Sequence, residues 1–452
     1  MGVAINLAAK SNRVAVIGSG ISGLSAAWLL SKSRNVTLYE AETRVGGHSN
    51  TVDVQLADGN AVPVDTGFIV YNERNYPNLV ALFDHLGVPT ADSDMSFAAS
   101  MEDGRFEYSG TGASGLIGQR SNVIRPRFWR MMADIVRFYR HAPAMARDKD
   151  CETMTLGEFV ADRRFSKAFI EDHLLPMGAA IWSVTLDEMR DYPLMAFLRF
   201  FESHGLLSLG VRPKWRTVQG GSREYVRRIV DDFSGTLRLA SPVAKVERLS
   251  GGGVRVTDAH GHVDDFADVV IATHAKEALA MLADADSEER ALLGAFRYSV
   301  NEAVLHGDAR LMPKRKAVWS SWNYLDAAGS REGQGLCVSY WMNRLQPLGN
   351  APDIFVTLNP VREVDPSKVH ARFSYEHPLF DRHAIAAQQR LWQLQGKGGV
   401  WFCGAHFGAG FHEDGLQAGL ATAEALAGVK RPWQVERESG RIFLNTLAEA
   451  AE

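Results

Sequence analysis

The sequence has little of what several protein classes require. Of its 452 residues only three are cysteines, Cys151, Cys337 and Cys403, and none belongs to a CxxC pair. A disulfide framework and a zinc site are therefore disfavoured, and a reducing compartment is favoured. No run approaches the roughly 18 apolar residues of a membrane-spanning helix. Neither HExxH nor GxSxG occurs, so a hydrolase is not indicated. The net charge of −4 gives no reason to expect nucleic-acid binding.

The strongest positive signal lies between Arg13 and Gly47. An apolar run at 14–17 is typical of a buried parallel strand. It leads into a GxGxxG turn at 18–23, a helix with one apolar side at 24–30 and a second strand at 36–39, which Glu40 closes. A GxGxxG alone would be weak evidence, but strand, turn, helix and terminal acid together predict a dinucleotide-binding unit.

Each residue type in this unit has a physical reason. Gly18 permits the tight turn, Gly20 lets a pyrophosphate approach the backbone, and Gly23 lets the helix pack closely on the strand. The helix N-terminus at Ser22 offers free N–H groups and the positive end of the helix dipole to phosphates. Glu40 stands where a carboxylate accepts both ribose hydroxyls, which disfavours NADP.

The residues after Glu40 favour FAD over NAD. Residues 40–47 resemble the E-x-x-x-R-x-G-G signature of the flavin amine oxidase and phytoene desaturase superfamily, with Arg44, Gly46 and Gly47 at its fixed positions. Residues 402–419 resemble the C-terminal flavin-binding segment of that superfamily, and residues 218–222 resemble its central glycine pair. The resemblance reaches both ends and the middle of the chain, and it implies FAD as the cofactor.

The resemblance also implies the fold class and the domains. We expect an α/β protein with a Rossmann-like FAD-binding domain of the glutathione-reductase type, interleaved with an α+β substrate domain. The FAD-binding domain is expected to comprise 11–75, 217–275 and 396–432, and the substrate domain 76–216 and 276–395. A short helix is expected over 433–452.

Further cofactor contacts are implied by matching positions. Gly67 and Phe68 are expected alongside the isoalloxazine, and Val243 is expected to contact the adenine through its backbone. His48 lies near the expected pyrophosphate or ring edge, and covalent attachment of the flavin there stays open. The remaining expected contacts lie in the C-terminal segment: Gly404, Asp414, Gly415 and Leu416. The helix that starts there would place its positive end at the flavin N1/O2 edge.

Position 412 departs from the family pattern. In amine oxidases, the residue three before the helix glycine is usually an aromatic that faces the flavin, whereas this chain has His412. The departure puts amine oxidation in doubt. His412 is predicted to act as a base that takes a proton from a substrate carbon, the alternative being a histidine bonded to backbone carbonyls.

A narrower resemblance concerns bacterial flavoproteins often encoded beside cyclopropane-fatty-acid-synthase-like methyltransferases. Residues 46–51, 204–207 and 212–216 carry it. It implies desaturation of a methyl-branched fatty acyl chain of a membrane lipid, by hydride transfer to flavin N5. An amine oxidase, a protoporphyrinogen-oxidase-like flavin oxidase and a flavin-containing lipid carrier without turnover remain alternatives.

Residues 121–147 suggest contact with a membrane. Six arginines alternate there with aromatic and aliphatic residues, a pattern that suits an amphipathic helix on an anionic membrane surface. The alternative is a helix packed on the core with its arginines in water. The expected partners are thus a lipid or fatty acyl substrate and the inner face of the membrane, with neither nucleic acid nor a metal. We expect a cytoplasmic protein and leave a homodimer open.

Overall fold

A computed structural model describes residues 12–145, 148, 153–207, 213–326 and 336–444. The strands among these residues are β1 (Arg13–Ile17), β2 (Asn35–Tyr39), β3 (Thr51–Gln55), β4 (Ala61–Asp65), β5 (Tyr71–Asn72), β6 (Thr90–Ser93), β7 (Phe97–Met101), β8 (Phe106–Ser109), β9 (Trp215–Val218), β10 (Thr236–Arg238), β11 (Val243–Arg248), β12 (Val254–Asp258), β13 (Val263–Phe266), β14 (Asp268–Ile271), β15 (Arg297–His306), β16 (Trp322–Leu325), β17 (Cys337–Trp341), β18 (Phe355–Leu358), β19 (Val369–Leu379) and β20 (Val400–Phe402).

The helices among the same residues are α1 (Ile21–Leu30), α2 (Pro77–Leu86), α3 (Gly112–Leu116), α4 (Pro126–Met145), α5 (Leu156–Asp162), α6 (Lys167–Phe169), α7 (Leu175–Trp182), α8 (Leu186–Arg190), α9 (Leu194–Ser203), α10 (Arg223–Asp231), α11 (Ala275–Met281), α12 (Ser287–Leu293), α13 (Met342–Leu345), α14 (Arg382–Gln388) and α15 (His412–Ala427). One π-helical turn, Ile170–Leu174, joins α6 to α7. No helix of the described residues is long and apolar enough to cross a membrane.

A five-stranded parallel sheet forms the dinucleotide-binding part of the fold. Its strand order is β10-β2-β1-β14-β20, and every neighbouring pair is parallel. Strands β1, β2 and β14 are almost wholly buried, as their short apolar runs predict. The sheet collects strands from three distant parts of the sequence, because β10 and β14 insert beside β1 and β2, and β20 closes the far edge.

A seven-stranded mixed sheet forms the other large layer. Its order is β19-β15-β18-β17-β16-β7-β8, with β16 and β7 parallel and the other pairs antiparallel. The alternation at 337–341 and 354–358 that indicates strands in the sequence corresponds to β17 and β18. Helices α3 to α9 all lie between β8 and β9 in the chain, so these seven helices form one long insertion.

One buried carboxylate, Asp65, joins the β3–β4 hairpin to the residue that follows the central glycine pair. Asp65, at the end of β4, accepts hydrogen bonds from the Ser222 backbone N–H (2.8 Å) and hydroxyl (2.8 Å). It also accepts bonds from the hydroxyl of Thr51 (2.6 Å) and the amide of Gln346 (2.9 Å). Gly221 has a φ of +86°, and an added Cβ would overlap Thr51. The second glycine of the pair is therefore needed where α10 begins beside the β3–β4 hairpin.

The helix predicted over 433–452 is absent from 433–444, the part of that segment that the structure describes, so the prediction is wrong there. Residues 433–444 form turns and bends instead of a helix, and 445–452 lie outside the described residues, as does Cys151. The segment is held by contacts with other elements. The Trp433 ring stacks on that of Trp28 with centroids 5.9 Å apart, and Arg441 reaches the start of α15. These long-range contacts compensate for the missing helical hydrogen bonds.

Candidate active site

Residues 18–23 and 40–47 form a concave backbone surface, which we call the cradle. Gly18 has a φ of +98°, and an added Cβ at Gly23 would overlap the Gly18 carbonyl oxygen. These two glycines let α1 start directly beside the end of β1. Gly20 differs, because an added Cβ there would meet no protein atom within 4 Å. Its open side is the space that a pyrophosphate would occupy.

Glu40 is positioned by the cradle itself. Its carboxylate accepts the Ser19 backbone N–H (2.9 Å) and the Glu42 backbone N–H (2.8 Å), and it also pairs with the Ser19 hydroxyl. Arg44 donates to the Gly47 carbonyl (3.0 Å), which closes the loop. The carboxylate thus faces the turn at the end of β2, where the ribose of a dinucleotide would lie.

The C-terminal helix α15 packs tightly on α1. An added Cβ at Gly415 would lie 2.8 Å from the Ser22 hydroxyl, and one at Gly419 would overlap the Ser22 carbonyl oxygen. Small residues on both helices therefore bring their N-terminal ends together. Two segments about 390 residues apart in the sequence meet, as the resemblance implied.

A buried ion pair fixes the first turn of α15. Asp414 is fully buried and accepts two bonds from the guanidinium of Arg441, at 2.6 and 3.1 Å. It also accepts the Phe411 backbone N–H at 2.8 Å. The side chain of Asp414 thus supports the helix from behind, through a partner in the non-helical C-terminal segment.

One cavity of about 1220 Å³ joins the cradle to a region lined by apolar side chains. This exceeds the roughly 300–1,000 Å³ of a usual single-ligand pocket, so a cofactor and a substrate fit together. We call the region beyond the cradle the chamber. The chamber is lined by Phe97, Tyr108, Leu116, Met132, Ile135, Tyr139, His173, Met177, Ile181, Trp182, Phe200, His204, Leu206, Trp215, Trp322, Tyr340 and Leu358.

Most of the predicted cofactor residues line this cavity. They are Gly18, Gly20, Ser22, Glu40, Arg44, Gly47, His48, Gly67, Phe68, Val243 and Gly404, together with the predicted catalytic His412. Gly23, Gly46, Asp414, Gly415 and Leu416 are buried and do not line it. Gly23 and the three residues of α15 lie behind the cavity wall, where α1 and α15 pack on each other.

His412 is held by hydroxyl groups, not by backbone carbonyls. Its Nε2 lies 2.9 Å from the Tyr225 hydroxyl and 3.0 Å from the Ser49 hydroxyl. Its ring stacks on Phe68 with centroids 3.8 Å apart and planes 10° from parallel. Burial lowers the pKa of His412 to about 3, so the ring is neutral at pH 7.

Two residues of β19 join the site without having been predicted from the sequence. Tyr375 and His377 line the cavity, with ring centroids 5.0 and 5.6 Å from that of His48. Burial lowers the pKa of His377 to about 4 and that of His48 well below its usual range. The spacing of two places Tyr375 and His377 on one face of the strand, which is the signal that could have found them.

The far side of the chamber carries a hydrogen-bonded pair of polar side chains, Tyr108 and His173. The Tyr108 hydroxyl donates to the Asp172 carbonyl (2.8 Å), so it accepts from His173 Nδ1 (3.0 Å). That arrangement makes Nε2 of His173 the acceptor nitrogen. Burial lowers the pKa of His173 to about 4. The π-helical turn that contains His173 is a feature frequently found at functional sites.

The observed residues fit FAD. Gly20 leaves open space above the backbone, Glu40 lies at the end of β2, and α1 and α15 both begin at the cavity. The cradle would hold the pyrophosphate and ribose, Val243 would lie beside the adenine, and Gly67, Phe68 and the start of α15 would border the isoalloxazine. FAD supplies hydride acceptance when bound.

Comparison with known proteins agrees with this geometry. A profile described as "Flavin containing amine oxidoreductase" matches residues 21–344, well over half of the chain. The chain belongs to this family. Membership confirms the predicted superfamily, the α/β fold with its Rossmann-like FAD-binding part and substrate domain, and the FAD cofactor. It also places the chain among flavin-dependent oxidoreductases.

Individual relatives differ in how much of the chain they match. Carotenoid phi-ring synthase of Streptomyces griseus is 43% identical over 70 residues, which are 15% of this chain and only 13% of that protein. Putrescine oxidase bound to putrescine matches 92% of this chain and 99% of its own, with a TM-score of 0.64 and 14% identity. The CLA-producing fatty acid isomerase from P. acnes matches 93% and 99%, with a TM-score of 0.62 and 14% identity. At these identities the structural likeness concerns the fold.

Proposed function

We propose that the protein is an FAD-dependent oxidoreductase that desaturates a fatty acyl chain of a membrane lipid. The observation that carries this proposal is the chamber, which opens on the cradle and is lined by apolar and aromatic side chains. None of the seventeen residues named above for the chamber is Asp, Glu, Lys or Arg, and the carboxylates of Glu277 and Glu376 line the same cavity outside the chamber, beside His274. An apolar lining suits a long hydrocarbon chain, because it stabilises the chain by the hydrophobic effect without fixing a charged group.

Desaturation requires loss of a hydride and a proton from neighbouring carbons. FAD, when bound, accepts the hydride at N5, and a separate electron acceptor must later take the electrons away. The proton needs a basic group near the position expected for the isoalloxazine. Neutral imidazoles line the cavity there, and His48, His377 and His412 all have lowered pKa values. His412 is the proton acceptor that the sequence favours, although a pKa of about 3 makes it a weak base.

The chamber offers less to the alternative substrates. An ammonium group would gain from a carboxylate, and the carboxylates of a porphyrinogen would gain from Arg or Lys, but the residues named for the chamber include neither. Elsewhere in the cavity, the Glu376 carboxylate is already paired with Lys276 and His274. Position 412, where an amine oxidase usually has an aromatic of its cage, holds a histidine whose ring is stacked on Phe68.

Two comparisons support a lipid substrate. The fold likeness extends to a CLA-producing fatty acid isomerase over 93% of this chain, so at least one protein with this fold acts on a fatty acid. The narrower sequence resemblance, to flavoproteins encoded beside cyclopropane-fatty-acid-synthase-like methyltransferases, supports a methyl-branched acyl chain.

Anaerobic mixing tests the proposal directly. FAD-loaded protein is mixed with phospholipids that carry saturated, methyl-branched or unsaturated chains, and separately with a panel of amines. We expect the flavin absorbance to bleach with an acyl lipid and mass spectrometry to find a product two hydrogens lighter. Bleaching by an amine while every acyl lipid leaves the flavin oxidised would overturn the proposal.

A wall variant and its control give a second test. Met132→Trp adds bulk to the chamber wall and is expected to slow flavin reduction by the lipid at least tenfold. Val300→Trp also introduces a tryptophan, but at a strand position that is 65% exposed and does not line the cavity. The lipid should therefore reduce the flavin of this variant at the same rate as in the unaltered protein. Equal rates in the two variants would show that the chamber does not hold the acyl chain.

A further inference from the structure

An apolar patch lies where the chain enters helix α4. The described residues expose eight large hydrophobic side chains, and four of them fall within thirteen residues: Ile117 (47% exposed), Val123 (45%), Ile124 (83%) and Trp129 (55%). We call these four residues the apolar patch. Single exposed hydrophobic residues are ordinary, but a cluster of this kind marks an interaction surface.

The patch is a built feature. The Trp129 indole N–H donates to the Val123 carbonyl at 2.8 Å, which anchors the ring against the turn before α4. The Arg125 N–H donates to Asn122 and the Phe128 N–H donates to Arg125, at 3.0 and 3.1 Å. The residues before α4 and the first turn of α4 are therefore hydrogen-bonded into one corner. The indole N–H of Trp129 has a hydrogen-bond partner, while its ring stays about half exposed.

Arginines dominate the charge around the patch, and the carboxylates near it, Glu171 and Asp172, are paired with Arg127. The sequence from 112 to 133 contains arginines at 120, 125, 127 and 130 and no acidic residue. Arg127 is committed elsewhere, because it donates to the buried Asp172 at 2.6 and 2.8 Å. Arg120 and Arg130 are exposed, and neither has an ion-pair partner within the part of the chain that the structure describes. They remain available to anions in solution.

The patch and the chamber share the same elements. Leu116, which precedes Ile117, lines the cavity, and so do Met132, Ile135 and Tyr139 of α4. One helix thus separates the exposed corner from the chamber.

We propose that the apolar patch docks the protein on the surface of a bilayer that contains anionic lipid. Tryptophan and isoleucine enter the boundary between headgroups and acyl chains, while Arg120 and Arg130 contact lipid phosphates. Docking brings the wall of the chamber next to the acyl chains of the bilayer. The inference goes beyond acyl desaturation and does not depend on it, because a docked protein needs no turnover.

Charge argues against the other occupants. A symmetric dimer through this corner would place the arginines of one copy against those of the other, with no acidic residue between 112 and 133 to compensate. A bilayer with anionic headgroups supplies the missing negative charge and an apolar interior together.

Vesicle sedimentation tests the docking. FAD-loaded protein is mixed with vesicles of phosphatidylglycerol and phosphatidylcholine, or of phosphatidylcholine alone. We expect binding only to the anionic vesicles, falling as salt is raised. The paired change Trp129→Ser and Ile124→Ser should lower the binding constant at least tenfold. The paired change Arg120→Glu and Arg130→Glu should lower it at least twentyfold, since each arginine near such a surface contributes about fivefold.

Matched controls separate the patch from general surface effects. Val263→Ser and Val300→Ser remove hydrophobic side chains that are 54% and 65% exposed elsewhere, and Arg290→Glu changes an exposed arginine on α12. All three should bind vesicles like the unaltered protein. Equal vesicle binding by the patch variants and the controls would overturn the proposal. So would a change of oligomeric state in light scattering when Trp129 and Ile124 are replaced, with vesicle binding kept.

A detergent-dispersed acyl substrate keeps the two proposals apart. In the patch variants, that substrate should reduce the bound flavin at the normal rate, even where the variants no longer bind vesicles. Flavin reduction by the acyl substrate without vesicle binding by the unaltered protein would contradict docking and leave desaturation standing. Vesicle binding without flavin reduction would contradict desaturation and leave docking standing.

Discussion

The cradle and the chamber differ in the material from which they are made. The cradle is made of backbone and glycine, and at Gly23 an added Cβ would overlap the Gly18 carbonyl oxygen. The chamber is made largely of side chains from α3, α4, α7, α9 and five strands of the mixed sheet, and Met132 and Met177 there are only partly buried. The first region has little space for added atoms except at Gly20, whereas the side chains that line the second can be exchanged.

This difference separates the invariant part of the chemistry from the adaptable part. A pyrophosphate is recognised by N–H groups and close backbone approach, so its site is fixed by geometry. A hydrocarbon chain is recognised by shape and apolar contact, so its site follows whichever side chains surround it. Family membership therefore identifies the cofactor, and the choice of substrate depends on the chamber.

The largest effect is expected in the cradle, at Gly23. Gly23→Ala forces α1 away from β1, which should cost about 3 kcal/mol or more and abolish retention of FAD. The comparison variant is Gly251→Ala, where an added Cβ meets nothing within 4 Å. Thermal unfolding and flavin content of the purified proteins measure both changes. A yellow, normally stable Gly23→Ala protein would show that the cradle is not rigid.

The next effect concerns support of the cradle from behind. Arg441→Met leaves the buried Asp414 carboxylate without its partner, and breaking a buried pair in this way costs about 3–5 kcal/mol. The same substitution together with Asp414→Asn removes the stranded charge. Urea unfolding should therefore find the double variant more stable than Arg441→Met alone. A double variant as unstable as the single one would mean that packing, not charge, holds this segment.

Local patterns predicted most of the cradle. The strands at 14–17 and 36–39 and the helix after GxGxxG all appear where the sequence pattern indicated them. The interaction of Gly415 with Ser22 follows from the family resemblance, because neither segment alone contains it. Arg441 as the partner of Asp414 could not be predicted, since it lies 27 residues later in a segment expected to be helical.

The chamber was much harder to predict from the sequence. Its hydrogen-bonded polar pair combines Tyr108 from β8 with His173 from a π-helical turn, and no spacing rule links residues 65 positions apart. Periodicity predicted the amphipathic nature of α4, but not that Arg127 pairs with Asp172 while Arg130 stays exposed. Long-range packing decides which face of an element lines a cavity, and a pattern within one segment does not contain that information.

A smaller loss of folding stability is expected in the chamber when the pH is lowered, because of His173. The pKa of His173 is about 4 against a usual 6.5, so the unfolded chain takes up the proton first and stability falls as the pH drops from about 6.5 to about 4. Between pH 7.5 and pH 5 this histidine should cost about 1–2 kcal/mol. His173→Phe loses the bond to Tyr108 but should lose less stability over that interval. Urea midpoints at the two pH values measure this, and an unchanged difference would contradict the burial argument.

The smallest change in folding stability is expected at Gly20, although it lies in the cradle. Its φ of −64° is open to alanine, and an added Cβ meets no protein atom within 4 Å. Gly20→Ala should therefore alter the unfolding free energy of the apoprotein by less than about 1 kcal/mol. The same carbon occupies the space into which a pyrophosphate must come, so FAD affinity should fall at least tenfold in a fluorescence titration. The added Cβ should therefore weaken FAD binding without destabilising the apoprotein, because no protein atom occupies the space that it enters, whereas the cofactor would occupy it. Undiminished FAD binding by Gly20→Ala would mean that the pyrophosphate lies elsewhere in the cavity.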